Sequence, residues 1–279
     1  MNVCQGKPRK SFDFSVAEAA AALRWWLGAG VESAVDEAPR NRFIDEAPPS
    51  TPEHALPREA PVKAPVFASP TREAAEAWRP PPEVAARDLA ASASDLATLK
   101  SILESFEGCG LRRTATQLVF ADGAPGSRVM FVGEAPGGDE DRIGRPFVGR
   151  AGQLLDRMLK SIGLDRRQVY IANVVPWRPP GNRTPTLQET LACLPFIERQ
   201  IELARPEILV CLGASSAQTL LGLRQGITRA RGTWSEYHCK NGRTLRSLAM
   251  LHPAYLLRQP GQKRQAWTDM RALAKELAI

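Results

Sequence analysis

The chain is 279 residues long and 43% hydrophobic, enough apolar matter for one large core or two small ones. Thirty-seven Lys and Arg against 30 Asp and Glu leave a formal charge of +7 and a pI near 9.4, a balance that favours a polyanionic partner without naming one. Five widely spaced cysteines (Cys4, Cys109, Cys193, Cys211, Cys239) argue against a disulfide framework, no apolar run nears the ~18 residues of a membrane span, and the opening MNVCQGKPRKSFDF lacks an apolar signal core, so the expectation is a cytoplasmic chain with reduced thiols and no membrane contact.

Ser15 and Glu18 form a capping-box pattern, and the AAAALRWWLGAGV behind it predicts a helix that ends near Gly28 or Gly30, with Trp25 and Trp26 turned toward a core. Residues 1–37 are therefore an N-terminal helical segment. Residues 38–88, crowded with Pro, Ala and Glu, predict an extended, solvated linker. The compact domain is expected over 89–279, beginning with the helical spacing of DLATLKSILESF.

Beyond it, RVMFVG (128–133), QVYIANVV (168–175), EILVCLG (207–213) and TLRSLAML (244–251) predict four buried strands. Between them QLLDRMLKSIG, TLQETLACLPFIERQIELA and SSAQTLLG have helical spacing, and QKRQAWTDMRALAKEL closes the chain as another helix. Alternation of strand and helix predicts a three-layer α/β/α fold on a central, mostly parallel four-stranded sheet. Ligands of such folds sit at the carboxyl ends of the strands. The loops expected there begin GEAPGGDEDRIGRPFVGRAG, PWRPPGNRTPT, GASSAQ and HPAYLLRQPGQKR, with Asn173 still inside the second strand.

Several residues in those loops are chemically conspicuous. Phe147 lies among Gly144, Pro146 and Gly149, a setting for a loop rather than a core ring. Asn173 is an amide in an otherwise apolar strand, where a missing partner costs about 1–3 kcal/mol. His252 follows a strand and precedes proline; of the other two histidines, His54 falls in the linker and His238 in an expected turn. Glu134 opens the first loop, with Asp139, Glu140 and Asp141 as rival acids.

GEAPG with PFVGRAGQLL behind it, then HPAYLLR, in that order, resemble the uracil-DNA glycosylase superfamily and within it family four, over about Ser101 to Ala274. The resemblance implies an enzyme that flips a nucleotide out of DNA and hydrolyses its N-glycosidic bond, leaving an abasic site without cutting the strand. It makes Phe147 the stacking floor for the extruded base and Asn173 the reader of uracil N3–H and O4. It makes His252 a donor to O2 as charge develops on the departing base, and Glu134 the carboxylate on the sugar side, either as base or as positioner of water. Glu140 would stand near uracil C5 against a thymine methyl, Ala135 replaces a second acid found in other branches, and Asp141 would cap or pair locally. Arg145, Arg150, Arg178, Arg183, Lys263 and Arg264 are candidates for phosphate contact, with Arg258 beside the flipped nucleotide. Tyr255, Leu256 and Leu257 suit either a wedge in the duplex or the buried start of a helix.

The family pattern also breaks. Family-four enzymes hold a four-iron, four-sulfur cluster on four cysteines, yet here the matching positions read Phe106, Cys109, Trp177 and Cys193. Phe and Trp cannot be thiolate ligands, so no cofactor is expected, with Phe106 and Trp177 filling the space. The substrate expected is uracil-containing DNA, single- or double-stranded, bound by a monomer. The rival readings are a glycosylase for another deaminated base, such as hypoxanthine or xanthine, and a noncatalytic DNA-binding protein that keeps the pocket. A covalent uracil-trapping branch is disfavoured because ITRARGTWSEY carries no histidine.

Overall fold

A computed structural model describes residues 82–279. The helix predicted around Trp25 and Trp26, His54, Cys4 and most of the linker lie outside the described residues.

Strand β1 (Asp122–Gly123), β2 (Val129–Gly133), β3 (Tyr170–Asn173), β4 (Ile208–Leu212), β5 (Trp234–His238) and β6 (Thr244–Met250) form one sheet in the order β1-β3-β2-β4-β6-β5. The four strands expected from sequence are its parallel centre, with registers such as Val132↔Ala172 and Val132↔Cys211. The four-stranded expectation is corrected to six by an antiparallel strand at each edge. Both escaped the sequence reading for physical reasons: β1 is two residues long, and β5 (WSEYH) is mostly half-exposed, without an apolar run. His238, expected in a turn, closes β5 opposite Thr244.

Alternate residues of the central strands feed two separate cores, as the period of two requires. Met130, Val132, Ala172, Leu209 and Cys211 face α1 (Pro82–Ser92), α2 (Leu96–Ser105), α5 (Leu187–Ala204) and α6 (Ala214–Leu221). Phe131, Ile171, Val210, Leu248 and Met250 face α4 (Arg150–Lys160) and α9 (Lys263–Leu277). Two short helices, α3 (Gly138–Ile143) and α7 (Ile227–Ala230), and α8 (Pro253–Arg258) complete the chain-order series.

The linker expected to run through residue 88 gives way at Pro82 to α1, whose Ala86 and Ala90 are buried. Small residues allow close approach to the core, and just after the helix the Ala93 carbonyl accepts from Arg199 Nε and Nη2 at 3.1 and 2.7 Å. Helix α5 starts where the sequence says it should: Thr186 Oγ1 accepts from Glu189 N while Glu189 Oε2 accepts from Thr186 N.

After β2 the chain crosses to β3 on one side and later to β4 on the other. The order therefore reverses between β2 and β4, which opens a crevice at their carboxyl ends.

Candidate active site

That crevice is a cleft of about 840 Å³, lined by Glu134, Asn173, Phe147 and His252 from the ends of β2, β3 and β6 and the loop before α4. Four loops expected at one end of the sheet do meet there.

The pocket wall depends on an absent side chain. A Cβ on Gly133 would stand 2.5 Å from Asn173 Oδ1 and 2.6 Å from Phe147 Cζ, so only glycine lets ring and amide close on the end of β2. Phe147, 95% removed from solvent, presents its ring to the cleft from a left-handed backbone, φ 55°. Its ring centroid lies 5.5 Å from that of His252, tilted by 30°.

Asn173 is buried, yet its Oδ1 has no hydrogen-bond partner, and Glu134 Oε1 is in the same state. Each such oxygen costs about 1–3 kcal/mol in the free protein, and both line the cleft. Burial pushes the Glu134 carboxyl above the ordinary range.

His252 follows β6 as the N-cap of α8, where its Nδ1 accepts from Ala254 N at 3.1 Å. An accepting Nδ1 leaves the ring proton on Nε2. Burial and then Arg258 hold its pKa down to about 4, so the ring is neutral near pH 7 and still a donor.

The neighbouring acids have other tasks. Glu140 lines the cleft, but its Oε2 accepts from Gly137 N at 3.1 Å and its Oε1 from Val148 N and Gly149 N at 2.9 and 2.8 Å. A carboxylate so committed organises the loop from within the cleft lining. Asp141, expected to pair locally, instead reaches Thr116 N and Oγ1, both at 2.8 Å, and pins a distant segment. Ala135 lies in the cleft wall as expected.

The cationic candidates divide. Arg183 and Arg258 line the cleft; Arg183 is held in a fork by Glu189 at 2.8 and 2.6 Å, which drives that carboxyl down to about 2. Arg178 donates to Asn182 Oδ1 at 2.7 Å. Arg150 stands exposed at the start of α4 and Lys263 and Arg264 at the start of α9, all outside the cleft lining. Arg145 is not brought to the cleft: it faces Asp122 at 4.0 Å in a smaller recess with Arg166 and Arg167. Leu256 is 1% exposed and packs with Leu251 and Ala266, which corrects the wedge reading for that residue. Tyr255 is half-buried and lines the cleft.

Sequence reasoning missed Gly152 and Arg166. Gly152 had a detectable signal, since a glycine inside a helical repeat marks a close approach: its Cβ would lie 1.7 Å from the Phe147 carbonyl oxygen.

Away from the cleft, the Phe106 ring stacks on Trp177 at 6.5 Å and 22° and meets Phe196 edge-on at 4.8 Å. Cys109 and Cys193, both buried, lie in the same core.

Comparison with known proteins agrees with this geometry. The pattern of the Uracil DNA glycosylase superfamily matches residues 120–271. A type-4 uracil-DNA glycosylase of Archaeoglobus fulgidus is 41% identical over 60% of this chain and 85% of its own. Those of Thermotoga maritima and Sulfurisphaera tokodaii are 44% and 40% identical, over 54% and 66% of this chain and 77% and 85% of theirs.

Proposed function

The chain belongs to the uracil DNA glycosylase superfamily, and from that premise we propose how its residues divide the work of uracil excision. The protein is a uracil-DNA glycosylase, a hydrolase of N-glycosyl bonds that acts in base excision repair on uracil-containing DNA.

The observation that carries the division of work is the pair of buried, unpartnered oxygens on Asn173 and Glu134, facing one cleft beside a neutral histidine. A base extruded from DNA stacks on Phe147. Asn173 Oδ1 then accepts from uracil N3–H, which recovers the cost of its isolation, and the amide nitrogen donates to O4. Cytosine offers the opposite pattern at both atoms, so it leaves Oδ1 facing an acceptor.

As the glycosidic bond lengthens, negative charge gathers on the base at N1 and O2 and positive charge on the sugar. His252 donates to O2 through Nε2–H. Being neutral, it stabilises the anion without first giving up a proton, and its orientation is already set by Ala254 N. Glu134 faces the cationic sugar and holds the attacking water, taking its proton as the new C–O bond forms. Arg258 and Tyr255 at the cleft rim meet the DNA beside the flipped nucleotide. No step calls for an amine nucleophile or a strand cut.

The protein acts as a monomer on single- or double-stranded DNA and holds no iron–sulfur cluster. What supports the latter is the fit: two of the four family ligand positions are Phe106 and Trp177, whose rings pack together with Phe196 where a cluster would need thiolates. Among the described residues no helix is long and apolar enough to cross a membrane.

The test is purified protein on oligonucleotides carrying uracil, hypoxanthine, xanthine or a thymine mismatch, single- and double-stranded, followed by alkali. Alkali-labile sites at uracil are expected. Preferred cleavage at hypoxanthine or xanthine would transfer the mechanism to a rival base, and no cleavage at all would leave a DNA-binding protein.

A further inference from the structure

We propose that Arg166 is a positioning residue for base excision, locking the strained backbone from which Phe147 presents its ring. This rests on the assignment of Phe147 as the stacking floor and adds the device that keeps it in place.

Phe147 needs such a device. A side chain with a Cβ in the left-handed region is disfavoured by about 1–2 kcal/mol, and such strain persists only where the surroundings over-determine it. The Arg166 guanidinium supplies the determination from behind the pocket, outside the cleft lining. Its Nη1 donates to the Pro146 carbonyl at 3.0 Å and its Nη2 to the Phe147 carbonyl. These are the carbonyls of the two peptide units that flank Phe147, so one planar group restrains both φ and ψ of that residue. On the opposite side of the second peptide, Val148 N donates to Glu140 Oε1 at 2.9 Å. That peptide is thus held at its oxygen by a cation and at its N–H by an anion, and flipping it breaks two charge-assisted bonds at once.

Arg166 is itself fixed. Nη1 also donates to Asp122 Oδ2 at 2.5 Å, and Nε donates to Asp156 Oδ1 at 3.0 Å. Asp156 sits on α4 and Asp122 on β1, which gives that two-residue edge strand a purpose. The Arg166 side chain is 20% exposed, so solvent competes weakly for these bonds. Gly152 clears the space through which the Phe147 carbonyl turns, since any Cβ there would overlap it.

A lock of this kind acts through one ring, and a double-mutant cycle reads that directly. Wild type, Arg166→Gln, Phe147→Ala and the double variant are compared in single-turnover excision of uracil from duplex DNA, with affinity for uracil-free DNA and thermal midpoint measured beside it. Misplacement of the ring by about 1 Å predicts a loss of about a hundredfold for Arg166→Gln, with affinity for uracil-free DNA unchanged. In the Phe147→Ala background, where no ring remains to be placed, the same substitution should cost less than about threefold. A purely structural arginine would give equal losses in both backgrounds, and that result, or a fully active Arg166→Gln, overturns the proposal. If Arg166→Gln does not fold, Arg166→Lys enters the same cycle, because lysine keeps the charge opposite Asp122 but lacks the fork for two carbonyls; full activity or additivity there overturns it equally. A Phe147→Ala protein as fast as wild type would instead overturn the stacking assignment itself.

Discussion

Asn173, Glu134 and His252 share a property that composition does not reveal: each is held in a state that only a substrate completes. The unpartnered oxygens of Asn173 and Glu134 are less favourable in the free protein than in water, and that difference is returned when the base and the sugar arrive. Replacing Asn173 or His252 by Ala should therefore slow excision by about 10²–10³-fold, the range for loss of one oriented hydrogen-bonding group. Affinity for undamaged DNA, dominated by phosphate contacts, should stay within about twofold; fluorescence anisotropy decides, and parallel losses in binding would contradict the roles given. The two titrating groups also predict a pH profile. His252, held down to about 4, stays neutral above pH 5 and contributes no limb there. Glu134 is shifted the other way by burial, and its working form is the carboxylate, so single-turnover rates should rise with pH through a midpoint above 4.5. Glu134→Gln should be slower by about 10²–10⁴-fold and flat across the same range. Persistence of the acid limb in Glu134→Gln would assign it to another group.

At the scale of elements, the sequence was legible wherever hydrophobic pattern and backbone agreed. The four central strands are apolar runs because both their faces are covered, α4 and α5 carry a readable periodicity, and α5 carries a cap as well. The cleft residues Glu134, Phe147, Asn173 and His252 were legible through motif and position. What stayed hidden is what has no local pattern: β1 and β5 at the edges, the pairing of Arg166 with carbonyls some twenty residues away, and the commitment of Glu140 to three backbone amides. Helix α1 belongs to this class, since PEVAARDLAAS carries few large apolar side chains and its contribution is two small alanines set against the core. A cut after residue 88, where composition ended the linker, runs through that helix, so the boundary belongs ahead of Pro82. Removal of residues 1–80 should leave uracil excision intact, because every site residue and all of α1 are retained. Removal through residue 93 exposes the α5 face that α1 covers and leaves Arg199 without the Ala93 carbonyl, a loss of about 1–3 kcal/mol. The melting midpoint should fall by several degrees relative to the first truncation, as a scale of ~2–4 °C per kcal/mol implies for a domain of this size. Equal midpoints for the two would show that α1 contributes nothing.

For the whole molecule, the question is what joins α5 to the segment between α2 and β1 when two of the family's four ligand positions are aromatic. Packing is the answer the geometry offers. Phe106, Trp177 and Phe196 form an aromatic contact at 5%, 2% and 1% exposure, and Cys109 and Cys193 lie in the same core. A cluster needs about four thiolates, and Phe106 and Trp177 at two of the four positions supply none. The purified protein should therefore be colourless, free of stoichiometric iron and active, whether prepared in air or anaerobically. Cys109→Ala and Cys193→Ala should each cost about 1 kcal/mol, as small apolar groups do when trimmed, and leave the excision rate within about twofold. Phe106→Ala should cost more, about 3–5 kcal/mol, because it opens a cavity beside Trp177 and Phe196. The order of these effects is the discriminating measurement: in a cluster protein the cysteines dominate stability, whereas here the phenylalanine should. Visible absorption with stoichiometric iron in the anaerobic preparation, lost together with folding on Cys109→Ser, would reverse that order and return iron to the site.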